Sequence, residues 1–486
     1  MIHRLINLAV RCFFIIVIIM STIVLVRAFD SRRLPDLKTW HRTVLESEFR
    51  VTRGDQVPGL KEYLELEDRL FTELNNKIYE NLPSEEKVTL SRYTTGSPVN
   101  PEKFSQNWNR SFELIPENMR GGVLMLHGLT DSPYSMRHLA DMFRAQGFYV
   151  LCPRMPGHGT VPGALLKATW RDWMAVTRLG ARHVRNKVGD KLPFYIVGYS
   201  NGGALTVKYI MEALEDENLP MPEHVILLSP MLGVTFFARF SDWNKTLSWL
   251  PYFEKFRWLD VYPEYDPFKY NSFPKFAGEQ TYMLTRAIDK KLQQLSQSGK
   301  ISVLPPILTF QSLVDATVLT VAIVDNLYNK LSPNHHELVL FDVNRLSEVD
   351  SFFQEQHEQL LHRLIEIDEL PYMLTILTNA NSDTRNVVVK SKKPHSGIGP
   401  GQPLTMEWPG KVYSLSHVAI PFPADDQLYG PMGDGIYNNV NIGTFSPRGE
   451  KGILNVPTDL LMRLRYNPFY DYMEARILEN IGTQQE

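Results

Sequence analysis

Ser200 lies in Gly198-Tyr199-Ser200-Asn201-Gly202, directly behind the apolar run Phe194 to Val197 and ahead of an amphipathic stretch, Ala204 to Leu214. A serine on a sharp turn from strand to helix exposes its hydroxyl on a strained backbone, and its neighbours must be very small. Gly198, Gly202 and Gly203 meet that demand, although a glycine-rich surface turn would have the same composition. Such a hydroxyl attacks a carbonyl only when a histidine takes its proton, and a carboxylate must fix that histidine's tautomer. For the carboxylate, Asp315 follows the apolar strand Pro306 to Gln311 directly. Asp315 could also simply cap a helix from Val318 to Leu331, and Asp342 and Asp350 are weaker alternatives.

The histidine is harder to find. None follows the strand Glu337 to Phe341, where Asp342-Val343-Asn344-Arg345 stands. The favoured base is His417, which ends a strand-like run, Lys411 to Pro421, where ligands bind at the carboxyl edge of an open sheet. His357 and His362 fall on a polar helix and His395 in a loop rich in Gly, Pro and Lys. His127 and His158 stand beside turn glycines and read as structural.

The elements that must hold these residues alternate. Strands are expected at Gly122 to Leu126, Phe148 to Pro153, Phe194 to Val197, Val225 to Ser229, Pro306 to Gln311 and Glu337 to Phe341. Helices are expected at Met136 to Gly147 and Thr169 to Val188. Apolar runs separated by helical periods argue for a mainly parallel sheet covered by helices on both faces. An inserted region, about 346–410, should add a helix (Glu348 to Ile367) and two strands (Tyr372 to Leu377, Asn386 to Lys390) before His417. The chain closes with a helix, Tyr472 to Ile481, after a loop from Pro421 to Phe445 whose Asp425 and Asp426 could help orient the histidine loop but are read first as solvated turn residues.

The set His127-Gly128, Pro156-Gly157-His158-Gly159 with Trp170 and Trp173, and Gly198-Tyr199-Ser200-Asn201-Gly202 resembles the α/β-hydrolase superfamily. It is most similar to the monoacylglycerol lipase, lysophospholipase and bacterial carboxylesterase group. The likeness covers about 121–331 well and the remainder poorly. It implies an α/β-hydrolase fold with Ser200 as nucleophile and Asp315 as the acid. At the base the chain departs from the family's pattern, which places a histidine after the strand Glu337 to Phe341, and His417 would need a much longer connection from the acid. The likeness further implies an oxyanion hole from the backbone N–H groups of Leu129 and Asn201. One such donor is worth roughly 3–4 kcal/mol in the transition state. It also implies a cap, about 231–304, over the site. That segment is strongly aromatic (among others Phe236, Trp243, Trp249, Phe256, Trp258, Tyr265, Phe268 and Tyr270), so some rings are expected to wall an acyl pocket and others to pack the cap.

The expected activity is hydrolysis of carboxylic esters, with lipid-like acyl esters as substrates, through an acyl-enzyme and without a cofactor. A serine peptidase of the same fold, or a membrane-tethered binding protein that has lost its base, are the alternatives. No zinc-like Cys/His spacing and no P-loop occurs, so no metal is expected. The 486 residues carry a formal charge of only -3, which gives no reason to expect nucleic acid as a partner. The two cysteines, Cys12 and Cys152, are not expected to meet.

Residues 1–29 are expected to form an N-terminal membrane anchor, since the run from Leu5 to Val26 is apolar and interrupted by Arg11. A cleaved secretory signal is the competing reading, which would make the enzyme secreted or periplasmic. Basic residues on both flanks leave the membrane side open. Residues 30–120 read as a polar lead-in, with a helix from Leu60 to Ile78 whose Glu62, Glu65 and Glu67 face water. The catalytic domain is expected over 121–486.

Overall fold

The computed structural model describes residues 2–51, 59–233, 251–346, 353, 355–367, 369–431, 441–443 and 453–482. Its strands follow the apolar runs closely. Along the chain come β1 (Phe112–Leu114), β2 (Gly121–Leu126), β3 (Phe148–Cys152), β4 (Phe194–Tyr199) and β5 (His224–Leu228). A separate ribbon of β6 (Trp258–Asp260) and β7 (Phe273–Pro274) lies in the expected cap region. The main sheet resumes with β8 (Ile307–Ser312) and β9 (Glu337–Phe341), then β10 (Met373–Asn379), β11 (Asn386–Lys392) and β12 (Gln402–Glu407).

Ten of these strands form one sheet in the order β1-β3-β2-β4-β5-β8-β9-β10-β11-β12. From β3 to β10 every neighbouring pair is parallel, and β1, β11 and β12 are antiparallel edges. A parallel sheet needs crossovers that cover both faces, so its strands are apolar on both sides. In β2 and β4 the side chains divide by parity. Leu124, Leu126 and Ile196 enter the core under helices Trp170–Val188, Asn201–Ala213 and Lys275–Gln297. Val123, Met125, Tyr195 and Val197 enter the opposite core, under Arg137–Ala145 and Tyr470–Gly482. This is the α/β architecture expected from the sequence, including added strands in the late insertion.

Several boundaries differ. The Leu60 to Ile78 helix is an α-helix over Leu60–Leu74 that widens into a π turn, Asn75–Tyr79. The helix expected from Val318 shortens to Thr320–Asn326, and the one expected from Glu348 is observed at Glu355–Glu366, its predicted start lying outside the described residues. β12 was not expected. It is a mostly solvent-facing edge strand containing Pro403, so it lacks both the apolar run and the clean period that mark an inner strand. The run Lys411 to Pro421 is no strand: His417–Ala419 forms a single 3-10 turn, and Leu415, Ala419 and Ile420 pack onto the sheet without joining its ladder.

The lead-in is part of the core and not a loose approach to it. Phe49, Leu60 and Tyr63 join the cluster under the sheet. Glu67, expected to face water, is only 2% exposed. It and Glu48 clamp Arg154, itself 1% exposed, at 3.1 and 3.0 Å. Amphipathic spacing ranks glutamate as a wet residue, and a buried cation supplied by a loop about 90 positions downstream reverses that.

The N-terminal helix runs from Ile2 to Arg33. Among the described residues no helix is long and apolar enough to cross a membrane, so the expected spanning segment finds no support there.

Candidate active site

Ser200 ends β4 with φ 55° and ψ −115°, and the helix Asn201–Ala213 starts at the next residue. This is the strained turn anticipated from the pentapeptide. The backbone pins it, because Ser200 N–H donates to Leu228 O at 2.9 Å and Ser200 O accepts from Met231 N–H at 2.9 Å. Gly202 shows why a small residue is required: a Cβ there would lie 2.0 Å from the Leu126 carbonyl oxygen.

Asp315 follows β8 and His417 sits on its 3-10 turn at the same end of the sheet. Their side chains meet, with His417 Nδ1 3.2 Å from Asp315 Oδ2. Both are buried. Asp315 Oδ1 accepts the N–H groups of Thr317 and Val318 at 2.8 and 2.9 Å, so the aspartate also performs the capping role considered for it. Burial alone would raise its carboxyl, but His417 and those two N–H groups outweigh burial and hold it below the ordinary aspartate value. The alternatives fall away on geometry. Asp342 is occupied by Arg345 and Thr378, His362 and His395 are exposed, and Asp350 and the His357 side chain lie outside the described residues.

Tyr199, the residue before Ser200, stacks on the His417 ring at 5.3 Å between centroids, and its hydroxyl reaches the His417 carbonyl at 3.5 Å. The imidazole therefore lies beside the serine turn. No hydrogen bond joins Ser200 Oγ to His417 Nε2 in this resting arrangement, and such contacts commonly tighten only once substrate is bound.

On the other side of Ser200 stands the turn after β2. A Cβ on Gly128 would lie 3.2 Å from Ser200 Cβ. Among the described residues, neither the Leu129 nor the Asn201 N–H finds an acceptor. His127 shapes this turn: its Nδ1 meets Gly128 O at 3.0 Å and its Nε2 accepts Met155 N–H at 3.0 Å. Both ring nitrogens are thus used as in a neutral imidazole, and burial brings the ring down to about 4. His158 is buried too and points Nδ1 at Pro156 O. Cap residues brace the same turn, as Tyr270 N–H donates to Thr130 O at 2.8 Å and Lys269 pairs with Asp131 at 2.8 Å.

Of the cap aromatics, Phe256, Trp258, Tyr265, Phe268 and Tyr270 are buried. Phe268, in the segment expected to form the cap, stacks on Tyr134 at 4.4 Å. Phe236, Trp243 and Trp249 lie outside the described residues.

Sequence reasoning ranked one residue of the segment after the base too low. Asp426, read as solvated, is fully buried. It gathers Arg137 and His138, both at 2.8 Å, with Tyr134 and the N–H groups of Leu428 and Tyr429. Burial would raise its carboxyl, but His138 and Arg137 prevail and hold it well below the ordinary range. This hub ties the segment after His417 to the helix that follows the Leu129 turn. Nothing local in the sequence reveals it, because its partners lie almost 300 positions away. Asp425 beside it is exposed, as expected.

Residues 117–291 match the family described as Serine aminopeptidase, S33. A thermostable monoacylglycerol lipase from Bacillus sp. (strain H-257) is 36% identical over 96 residues, which are 20% of this chain and 37% of the lipase. The chain therefore spans little more than a third of that relative's length. Among solved structures, a monoacylglycerol lipase of Paleococcus ferrophilus is 16% identical with a TM-score of 0.35, covering 52% of this chain and 98% of its own. A structure reported for the metagenome-derived lipolytic enzymes LipS and LipT is 23% identical with a TM-score of 0.39, covering 53% and 96%.

Proposed function

On the α/β-hydrolase fold that this chain adopts, we propose that it is a serine hydrolase of carboxylic esters, working through an acyl-enzyme on Ser200. The observation that carries the reading is the buried Asp315–His417 pair set beside the strained serine turn. In this mechanism Nε2 of His417 takes the Ser200 proton as Oγ attacks the ester carbonyl. Asp315 receives Nδ1–H, holding the ring's other nitrogen free and balancing the imidazolium that forms. The N–H groups of Leu129 and Asn201 receive the carbonyl oxygen as it becomes an oxyanion. His417 then returns the proton to the leaving alcohol, and water, deprotonated by the same nitrogen, releases the acid.

Lipid-like acyl esters are the favoured substrates, a preference supported by the named activity of the Bacillus relative and by the aromatic cap. The family description, serine aminopeptidase, favours a second reading in which the same centre cleaves small peptides. Ser200→Ala tests both. The variant should fold and lose turnover of p-nitrophenyl butyrate and labelling by a fluorophosphonate. Equal activity in the variant would end the proposal, and faster turnover of aminoacyl-arylamides than of esters would move it to the peptidase.

Membrane attachment through residues 1–29 stays part of the proposed reading. Its support is that Phe13, Phe14, Ile15, Ile16, Ile18 and Ile19 all stand exposed on one helix. Recovery of the full chain in the soluble fraction would refute it.

A further inference from the structure

Two arginines that the proposed mechanism does not use lie against its centre. Leu464 O accepts the hydroxyl of Ser416, the residue before His417. Arg463 Nη2 donates to Thr317 Oγ1 at 3.1 Å, two residues after Asp315. The strand of chain 463–465 therefore passes over both members of the acid–base pair. Arg465, only 7% exposed, reaches from there to the cap, where its Nη2 meets the Tyr265 hydroxyl at 3.4 Å.

Among the described residues neither guanidinium has a carboxylate within ion-pair distance. Each has five N–H donors, and among the described residues each makes one side-chain hydrogen bond and no ion pair. The oxygens of the carboxylates around them are committed to other hydrogen bonds, while the charges of Asp315 and Asp266 act on Arg463 and Arg465 from a distance. Asp315 is taken by His417, Gln311 and two backbone N–H groups. Asp266 accepts the Tyr429 hydroxyl on both oxygens and the Phe268 N–H on one. Asp459, which also acts on Arg463, is exposed and makes no pair with it. Lys269, the next cation, is spent on Asp131. The two arginines are close enough to repel one another. Two like charges side by side, each bonded among the described residues only to a neutral hydroxyl, are an arrangement that an anion between them would improve. A planar or tetrahedral oxyanion matches guanidinium forks and relieves both charges together.

We infer that Arg463 and Arg465 form an anion-binding subsite of the Ser200 centre, selecting esters that carry a carboxylate or phosphate near the scissile carbonyl. The inference rests on the serine-hydrolase reading above. It deepens that reading by naming the substrate class: acyl esters with an acidic head in place of neutral glycerides.

The test pairs substrates that differ by one acidic group. On the alcohol side these are 1-butyrylglycerol and 1-butyrylglycerol 3-phosphate, and on the acyl side methyl butyrate and monomethyl succinate. The wild type should favour the anionic member of one pair by about tenfold or more in kcat/KM, the worth of a hydrogen bond to a charged group. Which pair responds tells a phosphate head from an acyl carboxylate. Arg463→Gln should reduce that ratio at least about tenfold, and Arg465→Lys should retain more of it than Arg465→Gln. The ratio is internal to each protein, so a general loss of activity does not mimic the effect. If Arg465→Gln fails to fold, the more exposed Arg463 carries the test. A neutral preference in the wild type, or a ratio unmoved by Arg463→Gln, overturns the subsite. Absence of Ser200 labelling by fluorophosphonate would instead overturn the hydrolase reading itself, so the two failures are distinct.

Discussion

Asp315→Asn separates the chemistry of the acid from its space. Asparagine keeps the size and can keep the two backbone bonds on Oδ1, but it presents an amide N–H₂ where Oδ2 faced His417 Nδ1 at 3.2 Å. The imidazole then moves its proton to Nε2, the nitrogen that has to accept from Ser200. In serine–histidine–aspartate systems this wrong tautomer lowers kcat about 10⁴-fold, or about 5.5 kcal/mol at the barrier. A second effect falls on stability. Gln311 Nε2 lies 3.2 Å from the same Oδ2, so the substitution sets donor against donor in a buried site. Leaving such groups unmatched costs about 1–3 kcal/mol. The assay is p-nitrophenyl butyrate turnover, read beside a urea melt that verifies the folded fraction. Folded variant retaining kcat within about tenfold of the wild type would refute the assignment of Asp315, since no tautomer-locking carboxylate could be lost so cheaply.

Two further perturbations probe the scaffold. Gly202→Ala places a methyl 2.0 Å from the Leu126 carbonyl, and backbone on both sides prevents relief. Stability should fall by about 3 kcal/mol or more by chemical denaturation, with esterase activity lost, and a variant as stable as the wild type would contradict the turn geometry. Glu264 is buried, and burial raises its carboxyl from 4.5 to about 7 against the pull of the Asn271 N–H and Arg92. The folded state thus holds this proton more tightly than the unfolded chain, so stability is lost as pH climbs from about 4.5 to about 7 and stays lower beyond. The contribution is about 3 kcal/mol. Glu264→Gln should remove that slope, and parallel stability–pH curves for the two proteins would exclude it.

The central sheet was legible because β2, β4, β5, β8 and β9 are buried on both faces and read as unbroken apolar runs. The serine turn was legible because its steric demand is written in glycines within five residues. Asp315 could be nominated from its place after β8 and His417 from a strand-like run that is no strand, and the structure brings the two into contact. What escaped depends on distant pairing. Glu67 and Asp426 look like surface carboxylates until Arg154, Arg137 and His138 arrive from elsewhere in the chain. Arg463 and Arg465 carry no local mark of their position over the acid. The run ending at His417 alternates like a strand because it packs one side on the sheet rim, and packing without a ladder produces the same period.

The insertion that carries β10, β11 and β12 sets Asp315 and His417 102 positions apart. On the ribosome, therefore, the polypeptide emerges with its serine turn and aspartate long before its imidazole. The Asp426 anchor and the 463–465 segment follow later still. Chains assemble from the first-made end, so a truncated or stalled product would display a complete-looking sheet without catalytic capability. If Ser200, Asp315 and His417 act as proposed, competence would appear only once residues 417–465 have emerged and docked across the rim.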